Sequence, residues 1–61
     1  MPAREAVVVT ERRLEAPTRR IVYEPVAAGN YLRYEELWRE AKDGWHHVGC
    51  EELVARVEVS R

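Results

Sequence analysis

Residues 31–44, YLRYEELWREAKDG, constrain the fold more than any other part of the chain, because they form its longest stretch with a regular apolar period. Tyr34, Leu37, Trp38 and Ala41 fall at i, i+3, i+4 and i+7, with Tyr31 one turn earlier, which is the single-face pattern of an amphipathic helix. Read as a strand, the stretch would put Leu32, Tyr34 and Trp38 on one face with Glu36 and Glu40. A buried face would then hold carboxylates without partners. The ends also suit a helix: Asn30 can accept from the first-turn amides, Gly44 can take the left-handed conformation that stops it, and Lys42 lies near the negative end of the dipole. A positive φ at Gly44 is expected.

The flanking segments read as strands. Residues 6–10, AVVVT, are a β-branched run too short for a helix, and residues 19–26 place Ile21, Val22 and Tyr23 at the centre of a second strand. Pro17 lies in the connection, whose length suits a hairpin. The expected register sets Val9 opposite Val22, Val8 opposite Tyr23, Glu11 opposite Arg20 and Arg12 opposite Arg19. Residues 45–48 form a short third strand ended by Gly49. Leu53, Ala55, Val57 and Val59 then alternate with Val54, Arg56 and Glu58, the pattern of a half-buried antiparallel strand.

The fold class these readings give is α+β: a small antiparallel sheet, in the order β-β-α-β-β, with the Tyr34/Leu37/Trp38/Ala41 face of one amphipathic helix packed on one side. The alternative is an all-β meander that uses Asp43-Gly44 as a type I′ hairpin turn between residues 37–42 and 45–48. Either way the 61 residues make a single domain, 1–61. A chain of this size buries only about 60 % of the surface its unfolded form exposes. Small domains often add a disulfide, a metal or a second subunit, and the single Cys50 excludes a disulfide within the chain.

Charge narrows the function classes. Ten basic and eleven acidic residues leave a net charge of -1, so no overall field holds nucleic acid or an anionic membrane. No stretch approaches the roughly 20 apolar residues of a membrane span, and the apolar run near the N-terminus is too short for a signal peptide, so a cytoplasmic protein is expected. Few thermolabile residues and many Glu and Arg charges resemble the composition of thermophile proteins, although a GC-rich genome favours Arg equally.

His46, His47 and Cys50 are all possible zinc ligands, but a structural site needs four ligands and no second Cys or His pair exists in the sequence. No metal or cofactor is expected. The same trio suggests a Cys nucleophile with a His base, yet nothing in the sequence supplies an orienting group or a pocket, so the chain is read as non-enzymatic. Arg12, Arg13, Arg19 and Arg20 are the more informative group, because a hairpin brings both pairs to one end of the sheet, where they can grip carboxylates or phosphates. Tyr31 and Trp45 add residue types common in interface hot spots.

The function expected is a small interaction or regulatory module that binds a protein partner or itself. Its partner surface would use Arg12, Arg13, Arg19, Arg20, Tyr31 and Trp45. Homodimerisation would occur through Val7, Val8, Val9 and Val22, because one helix covers only one face of the sheet. The alternative is a small nucleic-acid-binding protein that uses the Arg hairpin with aromatic stacking.

Overall fold

Four strands follow one another in space as they do in sequence, β1-β2-β3-β4, and every neighbouring pair is antiparallel. The computed structural model describes residues 5–60. The strands are β1 (Val7–Glu11), β2 (Arg19–Pro25), β3 (Tyr31–Arg39) and β4 (Gly44–Val54), with single 3-10 turns at Ala27–Gly29 and Glu40–Lys42.

The fold is therefore all-β, and the α+β expectation is corrected: the helix predicted over residues 31–42 is strand β3. The reason lies in Glu36. It does share a face with Leu32, Tyr34 and Trp38, but its carboxylate accepts from Arg20 Nε across β2–β3 at 2.6 Å. The cost that argued against a strand is absent, and the β-favouring Tyr, Leu and Trp of the segment gain ladders on both sides. The helical period was a coincidence of spacing, because Tyr34 and Trp38 share a face in both structures.

The turn after β3 also differs from either expectation. Arg39 pairs with Gly44, so four residues rather than two close the hairpin. The left-handed position is Asp43 (φ 49, ψ 50), whose amide donates to the Glu40 carbonyl at 3.1 Å. Gly44 has no positive φ and begins β4. Asp tolerates this region better than most side chains, so it closes the turn one residue earlier.

The β1–β2 register is one residue from the expected one. Val8 faces Val22, Val9 faces Ile21, Thr10 faces Arg20 and Glu11 faces Arg19. The slip moves every side chain of β1 to the other face, and it separates Arg12 from the position opposite Arg19. It also brings Glu11 onto Arg19, whose Nε donates to Glu11 Oε1 at 2.8 Å. The short strand expected to end at Gly49 continues through it. Between Arg33 and Glu35 the β3–β4 register shifts, and Gly49 (φ 74) sits in the resulting bulge. β4 then ends at Val54, so the alternating segment 53–59 is not a strand beyond its first two residues.

Burial is the unusual property of this sheet. Val22, at 6 % exposure, is the one buried hydrophobic residue among the described residues. The chain exposes 5164 Å². A folded monomer of 7.2 kDa exposes about 4,100 Å². The radius of gyration, 13.2 Å, likewise exceeds the roughly 10.5 Å of a compact chain this long. Residues 55–60, which leave the sheet, account for part of the excess. Among the described residues nothing packs on either face of this single-layer sheet.

Candidate interaction surface

The hydrogen-bond pattern fixes which way each backbone group points. The Trp38 amide donates to the Thr18 carbonyl at 2.9 Å, in line with the β2–β3 register. Along an antiparallel pair, hydrogen-bonded and non-hydrogen-bonded positions alternate. Even-numbered residues of β2 therefore bond toward β3, and odd-numbered ones toward β1. It follows that Trp38 and Trp45 form a non-hydrogen-bonded pair across β3–β4, the kind in which side chains stand closest.

That pair is the centre of one face. The Trp38 and Trp45 rings lie 5.4 Å apart at an interplanar angle of 74°, an edge-to-face arrangement. The Arg20 guanidinium sits 4.2 Å above the Trp45 ring while its Nε is held by Glu36. Arg20 thus combines a cation–π contact and an ion pair. Farther along the same face, Tyr34 and His47 meet edge to face at 5.6 Å, and the Tyr34 hydroxyl lies 3.5 Å from Glu24. Burial of the phenol, reinforced by the Glu24 charge, pushes the Tyr34 pKa up.

Two adjoining hollows open at the end of the sheet where the β1–β2 loop and the β3–β4 turn lie. One, of about 360 Å³, is lined by Arg12, Thr18, Trp38, Glu40 and Trp45. The other, of about 450 Å³, lies between Ala16-Pro17 and the β3–β4 turn and shares Thr18, Trp38 and Glu40 with the first. Beyond them Leu14, at the tip of the loop, is fully exposed. Across the two hollows the Trp38 and Trp45 rings are rimmed by two cations, Arg12 and Arg39, and one carboxylate, Glu40.

The four arginines of the hairpin do not form one cluster. Arg19 points to the opposite face and pairs with Glu11, Arg20 pairs with Glu36, and Arg13 Nε donates to the Pro17 carbonyl at 3.0 Å. Only Arg12 joins Trp45 in a hollow. Tyr31 lies at the other end of the sheet, opposite Pro25 and Val54. On the opposite face, Arg33 is held by Tyr23 and by Glu35, which raise its pKa. Glu36, Thr18 and Glu40 were not among the residues expected at the partner surface, and Trp38 was expected on the packed face of a helix. The signal available was that Trp38 and Trp45 are equidistant from the turn at residues 40–43.

Val7, Val8, Val9 and Val22 divide between the faces: Val8 and Val22 face each other on the Trp face, while Val7 and Val9 lie on the other. Val8 and Val9 are 50 % and 45 % exposed. His46 and His47 point to opposite faces of β4 and, with Arg39 and Lys42, line a third hollow around that strand's edge. Cys50 is exposed in the bulged region. Among the described residues no three His, Cys, Asp or Glu side chains gather where they could hold a metal ion. Nor is any helix long and apolar enough to cross a membrane. No protein-family model, no curated protein and no solved structure matches the chain.

Proposed function

We infer that this chain is a non-enzymatic interaction module whose open sheet is completed by another protein chain, a second copy or a larger partner that it regulates. The observation that carries the reading is that, among the described residues, Val22 is the one buried hydrophobic side chain in a sheet of four strands. A lone layer buries little apolar surface to offset the entropy of ordering its backbone, so a covering surface from another chain would stabilise it. The Trp38/Trp45 hollows, with exposed Leu14 beside them, offer the aromatic and aliphatic anchors that dominate protein interfaces. In the same reading the protein works in the cytoplasm, where a chain whose one Cys has no disulfide partner in the sequence is at home.

The nucleic-acid alternative draws on the same aromatic face, since Trp38 and Trp45 could stack on bases. It is weakened by the ion pairs of Arg19 with Glu11 and Arg20 with Glu36, which neutralise two of the four hairpin arginines. Binding of a single-stranded oligonucleotide that falls steeply with salt would favour it over the protein-interaction reading.

Thermal unfolding at a series of protein concentrations tests the proposal. A melting temperature that rises with concentration is expected for a self-completing sheet. A broad, non-cooperative transition with strong binding of a hydrophobic dye is the expected outcome for a sheet reserved for a different protein. A sharp transition that does not move with concentration, in a protein that binds no dye, would overturn the reading.

A further inference from the structure

We propose that the outer edge of β1 pairs with the same edge of a second copy, antiparallel and about a two-fold axis through Val9. The proposal rests on the interaction reading above and names its partner and register. Among the described residues no strand pairs with that edge, because β1 is the first strand of an open sheet. β1 is short and ends in Glu11, but Val7-Val8-Val9-Thr10 carries no Pro, no charged side chain and no bulge to blunt its edge. The other edge, β4, has them in the bulge at Gly49 and the consecutive Glu51 and Glu52.

The direction of the backbone groups follows from the Trp38–Thr18 hydrogen bond. Odd-numbered residues of β2 bond toward β1, so Val7, Val9 and Glu11 are occupied with Tyr23, Ile21 and Arg19. The amides and carbonyls of Val8 and Thr10 therefore point outward. An antiparallel partner must match outward groups to outward groups, which requires the two-fold axis to pass through a residue rather than between two.

Side-chain chemistry selects which residue. An axis through Val8 would set Glu5 opposite Glu11, and an axis through Glu11 would set that carboxylate against its own copy, both repulsive. An axis through Thr10 would set Arg12 and Arg13 opposite Val8 and Val7. The axis through Val9 pairs Val9 with itself, Val8 with Thr10 and Val7 with Glu11, and pairing continued past the strand ends would bring Glu5 toward Arg13 rather than toward a like charge. Val8 and Thr10 then exchange both of their hydrogen bonds, twice over by symmetry. The two sheets join into one with the Trp38/Trp45 faces on the same side, still open to a further protein.

Cysteine cross-linking on a Cys50→Ser background reads the register directly. Val9→Cys should form an intermolecular disulfide under mild oxidation, since self-paired residues at a non-hydrogen-bonded position stand close enough to bridge. Val8→Cys and Thr10→Cys should each cross-link at least tenfold more slowly alone, yet form a mixed disulfide when combined. Thr10→Pro, which removes an outward amide, should give a monomer less stable than the parent dimer, whereas Val9→Pro removes an amide bonded to Ile21 and should unfold the sheet at any concentration. Equal cross-linking of Val9→Cys and Val8→Cys, or a dimer that survives Thr10→Pro, would overturn the edge pairing. If the native mass exceeds 7.2 kDa while Val9→Cys stays uncross-linked, the edge pairing fails and the interaction reading stands.

Discussion

Arg20 binds Glu36 through a 2.6 Å hydrogen bond between neighbouring strands and places the same guanidinium 4.2 Å over the ring of Trp45, one strand farther on. One side chain thus ties β2, β3 and β4 together on the face that carries the aromatic pair.

Replacing Glu36 by Ala should release Arg20 from Trp45 as well as from the carboxylate. Both side chains are partly exposed, so the direct pair contributes only about 0.5–1 kcal/mol. A double-mutant cycle between Glu36→Ala and Arg20→Ala should show coupling of that size. A parallel shift in Trp fluorescence on Glu36→Ala, absent with Glu35→Ala, would tie the carboxylate to the ring.

The left-handed turn position gives a second test. Asp43→Gly should stabilise the protein by about 0.5 kcal/mol, because Asp43 has φ 49 and Gly adopts that region without strain. Gly44→Ala should be nearly neutral, since its φ is ordinary and the added Cβ meets only the Lys42 carbonyl at 3.7 Å. Gly49→Ala, at φ 74, should cost about 1 kcal/mol. Urea unfolding of the three variants checks the ranking, and a helix capped at Gly44 would reverse it for Gly44 and Asp43.

Tyr34 supplies a pH dependence. Its pKa is raised by burial first and by the Glu24 charge second, so the fold favours the neutral phenol. The associated stability is present below the ordinary tyrosine value of about 10 and is lost as pH rises through the higher folded value. An ultraviolet titration should therefore contain a late-ionising step from Tyr34, and Tyr34→Phe should remove it.

The first two strands were legible in the sequence and the third was not, for reasons that can be traced to single residues. β1 and β2 were visible because Val7-Val8-Val9 and Ile21-Val22-Tyr23 are β-branched or aromatic runs with no helical reading. β3 was hidden because Tyr34, Leu37, Trp38 and Ala41 satisfy a helical period while the partner that makes Glu36 acceptable lies sixteen residues away at Arg20. Long-range pairing of that kind leaves no local trace. The register was missed by one residue because Glu11 can pair with either Arg19 or Arg20, and only the whole sheet chooses. In the candidate surface Arg12 and Trp45 share a hollow, whereas Arg19 and Arg20, consecutive on β2, take opposite faces and Arg13 is held by the Pro17 carbonyl.

If this chain pairs with its own copy along the β1 edge, sedimentation equilibrium at micromolar concentration should show a species of twice 7.2 kDa that dissociates on dilution. A stably folded 7.2 kDa monomer at every concentration, unfolding cooperatively, would contradict it.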